Sequence, residues 1–294
     1  VSLRWAITQA NANCGHDIIN FNLGAGGPFT ISLTAILPDL TDSDGATIDG
    51  WDNSGNNGTP NTISVFNATT VTPLDANHKI ILGNNNNLPT GLILAGNNNI
   101  IKGLVLQDFG DGTVNNNDVQ ITINGNNNQV LGCFIGIDAT GTTRGTKNYV
   151  GVSITGMDNM IGDGTAAGAN LISGMNNLGV GVYINTAGAT GNTIKGNMIG
   201  LQKDGTTIVT GADQGIGVRI DNSATLNTIG GSNPGDGNVI SGNSGAGAGI
   251  GVYLFSTAGY NSVLGNIIGP RADGVTFVTA NPQNYGIFID SPNN

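Results

Sequence analysis

The sequence predicts an all-β fold: a parallel β-helix in which three short strands make one coil and a short α-helix covers the N-terminal end. Three observations carry this reading. Of 294 residues, 49 are Gly and 43 are Asn, and all 19 acidic residues are Asp. Gly and Asn are poor helix formers, and Glu, a good one, is absent, so a helical bundle is excluded. Yet 38% of the residues are apolar, and Ile and Val recur in short alternations, which sets the chain apart from a disordered one. The alternations also repeat at a near-constant interval. Strands opening Gly151-Val-Ser-Ile, Gly181-Val-Tyr-Ile, Gly217-Val-Arg-Ile, Gly251-Val-Tyr-Leu and Gly286-Ile-Phe-Ile begin 30, 36, 34 and 35 residues apart. Such a period marks a solenoid.

Residues 1–13 form the predicted N-terminal cap. Ser2 can cap a helix on which Leu3, Ala6, Ile7 and Ala10 share a face, with Trp5 on the opposite side. Residues 14–294 form a single β-helix domain. Its first part is less regular, with strand-like stretches at 18–23, 29–33, 46–50, 61–66 and 79–82. Beyond residue 90 the coils become explicit. The motif Asn128-Gln-Val-Leu-Gly-Cys-Phe-Ile-Gly136 returns at 192–200 and 261–269, and a variant with a longer insertion spans 159–174 and 227–242. Each coil reads as strand, turn, strand, turn, strand and a longer loop. No hairpin dipeptide joins neighbouring strands, so equivalent strands must stack in parallel. Asn170, Asn197, Asn238 and Asn266, with Cys133 in the equivalent place, are expected on one turn column. There Asn tolerates a left-handed turn and passes hydrogen bonds from coil to coil. About nine coils at ~4.8 Å each give a rod of roughly 45 Å.

The ends of the rod carry a separate expectation. The stretch 286–294 holds the strand Gly286-Ile-Phe-Ile, which opens a coil, with no amphipathic helix after it. The stack is therefore expected to be a fragment of a longer chain, or to meet adjacent domains or copies of itself through its ends, with Trp5 as an assembly residue.

The opening Ser2-Leu-Arg…Ala6-Ile, followed by Asp17-Ile-Ile-Asn-Phe, Leu37-Pro and Thr47-Ile-Asp-Gly50, resembles the N-terminal segment of secreted bacterial β-helix proteins, which begin Cys-Ser-Leu-Arg-Glu-Ala. Val1 and Trp5 stand where that pattern has Cys and Glu. The downstream Asn-x-Ile-Gly-Gly, Asn-Val-Ile-Ser-Gly-Asn and Gly-Asn-x-Ile-Gly repeats are similar to the bodies of those proteins. More broadly the chain resembles the pectin-lyase-like superfamily, which implies a right-handed coil and an extracellular or cell-surface location. That superfamily holds lyases, hydrolases, adhesins and surface modules, so the resemblance selects no single function.

With Lys and Arg totalling 9 and a net charge of −10, the surface repels phosphate, and nucleic acid is not an expected partner. No apolar run approaches the ~20 residues of a membrane-spanning helix. Candidate chemistry comes from the outward positions of the Gly-opened strands. One column reads Thr122, Ser153, Tyr183, Arg219, Tyr253, Phe288, and the next Asn124, Thr155, Asn185, Asp221, Phe255, Asp290. A glycoside hydrolase needs paired carboxylates, for which Asp221 and Asp290 are the candidates, and a lyase needs a cationic base, for which Arg219 is. Phe255 lies between the two carboxylates, and no His or second Arg joins them. The same columns suit a glycan better: Tyr183, Tyr253 and Phe288 offer faces for sugar rings, while Arg219 and Asp221 bond hydroxyls. A purely structural role is the alternative, with the rings packed beneath loops 201–216 and 270–285, which carry Ile208, Val209, Phe277 and Val278.

The leading expectation is a noncatalytic adhesin, spacer or polysaccharide-binding rod. A lyase or hydrolase comes second, and a subunit of an extracellular fibre or sheath that assembles end to end comes third. No cofactor is expected. Asp42-Ser-Asp-Gly45 resembles a calcium loop but lacks its third acidic position and its terminal Glu, and it reads as an acidic turn. His16 and His78 read as isolated surface residues, Cys14 and Cys133 as free thiols. Asn57-Gly-Thr59 and Asn67-Ala-Thr69 match the glycosylation pattern, as an Asn-rich chain does by chance.

Overall fold

The computed structural model describes residues 1–65, 72–84, 87–111, 118–211, 214–245, 249–279 and 282–294; Phe66 and Asn67–Thr69 lie outside them. The chain is a parallel β-solenoid of three sheets. The first holds eight strands, from Asp17–Phe21 to Ser262–Leu264. The second holds eight, from Phe29–Leu33 to Ile267–Ile268, and the third seven, from Thr90–Leu94 to Tyr285–Asp290. Every strand pair is parallel, and each coil contributes one strand to each sheet, except the first, which has none in the third. The stack therefore has about eight coils rather than nine. The one helix among the described residues is Leu3–Ala10, too short to cross a membrane.

Stacking in register turns the sequence repeats into continuous columns. In the first sheet Ile48, Ile101, Val130, Ile161, Ile194, Ile229 and Val263 follow one another. In the second, Leu82, Leu106, Ile135, Ile172, Ile199, Ile240 and Ile268 do the same. These columns meet in one core, and β-branched side chains suit it because they pack well on a pleated surface. The Gly near the start of four strands of the third sheet is required by contact. A Cβ at Gly217 would lie 2.6 Å from the Gly251 carbonyl oxygen and 2.5 Å from Ile240, and Gly151, Gly181 and Gly251 are hemmed in the same way.

Two asparagine ladders run along the corners of the coil. In the expected one, Cys133 N–H donates to Asn170 Oδ1 (2.8 Å), Asn170 Nδ2 to Asn197 Oδ1 (2.8 Å), Asn197 N–H to Asn238 Oδ1 (2.9 Å) and Asn238 Nδ2 to Asn266 Oδ1 (2.8 Å). A second links Asn99, Asn128, Asn159, Asn192, Asn227, Asn261 and Asn294. The ladder residues themselves do not take the left-handed turn. That conformation falls one residue earlier, at Gly196 and Gly265 in one ladder and at Asn98, Asn127, Asp158, Leu226 and Tyr260 in the other. The turn thereby aims the next side chain into the corner, where its amide bonds both neighbouring coils.

The N-terminal helix follows the expectation. Ser2 Oγ accepts from Trp5 N–H at 3.2 Å. Leu3, Ile7 and Ala10 are buried in the same core as Ile19, Phe21 and Leu33 of the first coil, while Trp5 is 54% exposed. The stretch 61–65 is not a strand. It belongs to an excursion between Ala46–Asn53 and Ile80–Asn84 that lies along the outside of the second sheet, because its apolar residues Val65, Leu74 and Ala76 pack there.

Candidate functional site

The outer faces of the sheets differ in cover. The second sheet carries an outward apolar column of Ile81, Val105, Phe134, Leu171, Met198, Val239 and Ile267. Val65, Leu74 and Ala76 of the excursion pack on it, as do Leu201, Ile208, Val209, Ala272 and Val278 of the later loops. The two loops expected over the aromatic track therefore lie on a different sheet. The structural reason is the outward column itself, which buries Val209 and Val278 and leaves Phe277 61% exposed.

The third sheet keeps its outer face clear of those loops. Its pairings bring Thr122, Ser153, Tyr183, Arg219, Tyr253 and Phe288 into one column, as the spacing predicts. Beside it runs a narrower apolar column of Val119, Val150, Val180, Ile216 and Ile250. At the centre stands Arg219. Its guanidinium carbon is 5.2 Å from the centroid of Tyr183, 5.9 Å from Tyr253 and 5.2 Å from Phe255. Arg219 Nη2 donates to Asp221 Oδ2 at 2.5 Å, and Asp221 Oδ1 accepts from Asn222 N–H at 2.7 Å. The aromatic side continues from Tyr253 to Phe255 (5.0 Å) and, edge to face, to Phe288 (5.2 Å), which in turn meets Tyr285 at 5.3 Å.

Burial divides the candidates. Tyr183 is only 6% exposed and Asp221 3%, so these two support the site from below. Tyr253, Phe255, Phe288 and Arg219 are half-buried and reach the surface, and Asp290 is exposed. Burial raises the Tyr183 phenol above its ordinary range; Asp221 adds to the rise and Arg219 opposes it. Tyr253 is raised as well, first by burial and then by the charge of Asp290. Both phenols therefore stay protonated donors at neutral pH. Upstream of Tyr183 the face opens into a groove of about 330 Å³ lined by Pro89, Thr90, Val119, Thr122, Ser153, Tyr183 and Asn185. Hydroxyl and amide groups line it, next to a stacked cation and aromatic rings.

Other sequence candidates do not join this site. Asp42 Oδ1 accepts from Asp44 N–H, and Asp44 Oδ2 accepts from Gly15 N–H, as in an acidic turn. No group of three metal-ligating side chains occurs among the described residues. Both cysteines are free; Cys14 is exposed, Cys133 fully buried, and burial pushes its thiol up to about 12. His16 is exposed, as expected. His78 is not a surface residue: it is 1% exposed, wedged between Trp51 (4.7 Å) and Phe134 (4.2 Å). The sequence held a signal for this, since Leu74, Ala76, His78 and Ile80 alternate with polar neighbours and all four are buried. The groove wall at Pro89 and Thr90, and the ring of Phe255 against Arg219, were not legible as site residues. No protein-family model matches the chain, and no curated protein sequence matches it.

Proposed function

We propose that this chain is a noncatalytic β-helical module of the cell exterior that binds polysaccharide along the outer face of the third sheet. The observation that carries the reading is the Arg219 cluster: a cation held between three aromatic rings and opening onto a hydroxyl-lined groove. Rings at this spacing can lie against the apolar faces of sugars while the groove donors meet their hydroxyls. Parallel strands on both sides fix the side chains before a ligand arrives, so little ordering entropy is lost on binding. The resemblance at Ser2-Leu-Arg and in the repeats favours secretion and a surface location. Asp221 speaks for binding rather than hydrolysis, because both of its oxygens are occupied and it is almost wholly buried.

A glycan-array screen, paired with reducing-sugar and unsaturated-product assays on each glycan bound, tests this reading. Binding without turnover is the expected result. Turnover that disappears in Asp221→Asn would make the chain an enzyme.

A further inference from the structure

His78 lies where an ionisable side chain carries a conformational cost. The ring is 1% exposed, and its Nε2 is 2.9 Å from the Gly132 carbonyl oxygen, so Nε2 carries the proton and donates. Its Nδ1 is buried and has no partner. Trp51 and Phe134 enclose the ring from the two sides. Trp51 in turn lies across the left-handed Gly103 and Gly132, where a Cβ would fall 2.4 and 3.1 Å from its indole. A second proton on His78 would therefore create a buried charge and an N–H with no acceptor.

The segment that leads into this ring is held by few bonds. Leu74 N–H donates to Lys203 O (2.8 Å), Ala76 N–H to Asn61 Oδ1 (2.9 Å) and Asn77 N–H to Thr59 O (2.9 Å), Thr59 N–H returns a bond to Asn77 O (3.1 Å), and Thr62 bonds Asp75. None of these belongs to the three sheets; sheet bonding enters at the end of the segment, where Lys79 O accepts from Phe29 N–H (2.8 Å). Leu74 and Ala76 are buried, but on the outside of the second sheet, not in the central core. The segment can thus leave while the coils remain paired.

We propose that His78 is an acid-sensitive latch whose protonation releases residues 72–79 from the outer face of the second sheet and uncovers its apolar column. The charged groups on the surrounding elements do not offset the added proton. Lys203 repels it. Asp49 is taken by Lys102 at 2.8 Å and by Trp51 N–H, Asp204 by Thr206 and Thr207, and Asp75 by Thr62. Burial is the largest cause holding the imidazole down at about 4, with Lys203 acting in the same direction and the Gly132 bond against it. The released ring returns to its ordinary value near 6.5. Acid between these two values favours the open form, and the closed form is fully restored above 6.5.

Hydrogen exchange by NMR between pH 7 and pH 4.5 tests the latch. Protection of the Leu74, Ala76 and Asn77 amides should fall by roughly 100-fold beyond the intrinsic change in exchange rate, while Val182 and Val218 of the third sheet keep theirs. Tryptophan emission in Trp5→Phe, where Trp51 alone reports, should change over the same range. His78→Gln should lose the transition, and His16→Gln and Asp118→Asn should keep it. Unchanged protection of 72–79, equal loss in the third sheet, or the same transition in His78→Gln would overturn the proposal. Should His78→Gln fail to fold, direct titration of the wild-type His78 ring alongside the 72–79 amides decides: a ring depressed below 6.5 whose protonation coincides with loss of protection at 72–79 supports the latch, and a ring near 6.5, or one that protonates with the segment still protected, refutes it.

Discussion

The second and third sheets share a core, a ladder system and a parallel register, yet their outer faces differ. Strands of the second sheet put apolar residues on both sides, as in Phe134-Ile135, Leu171-Ile172 and Met198-Ile199, and loops cover them. Strands of the third sheet alternate, as in Val152-Ser153-Ile154 and Val218-Arg219-Ile220, and keep an uncovered face. Parallel sheets are usually buried on both sides. The third sheet departs from that habit where its outward residues are Arg and aromatic, which places the candidate site on a surface that the loops over the second sheet leave uncovered.

Asn197→Ala should be the most damaging change, because it strikes the spine common to both faces. It removes the Asn197 side-chain bonds to Ile161 O and Asn238 Oδ1, leaves the Asn170 N–H without its Asn197 Oδ1 acceptor, and leaves Asn170 Nδ2 only its bond to Val130 O. A loss of roughly 3–5 kcal/mol is expected in urea unfolding, with glycan binding lost only as folding is lost. Leu74→Ala should cost about 2–4 kcal/mol against the local opening of 72–79. It should leave the third sheet untouched, seen as faster exchange of the segment's amides at neutral pH with unchanged glycan binding.

Tyr253→Ala should do the reverse, weakening glycan binding by ~1–3 kcal/mol with a far smaller change in Tm than Asn197→Ala produces. The smallest effect concerns Asp118, at the head of the third sheet. Its carboxyl is buried, and burial first, then the charge of Asp111, raises it to about 6. A carboxyl raised in the folded state supplies stability at low pH that is lost as pH rises from its ordinary 3.8 toward 6. Asp118→Asn should therefore raise Tm by a few degrees at pH 7–8 relative to wild type and give no gain at pH 4.

The sequence carried the coil architecture because its period rests on contact. The opening glycines face carbonyl oxygens of the next coil, and the ladder asparagines bond across coils, so neither position is free to vary in kind. The third-sheet column was legible for the same reason: alternation and a fixed start set which residues face out. What the sequence did not yield depends on where the loops go. Val209 and Val278 are apolar wherever they pack, and only the outward column Met198–Val239 shows that they cover the second sheet. The strand expected at 61–66 failed likewise, since its alternation serves an excursion packed from outside. His78 was hidden by treating histidines singly and not by the phase they share with Leu74 and Ala76.

The central claim is that the open face of the third sheet binds glycan and the covered face of the second does not. One glycan array probed with wild type, Tyr253→Ala and Leu74→Ala tests it most directly. The expected result is a glycan bound by wild type and, with equal affinity, by Leu74→Ala, and bound at least about tenfold more weakly by Tyr253→Ala. Binding that survives in Tyr253→Ala but fails in Leu74→Ala, or no glycan bound by the wild type, would contradict it.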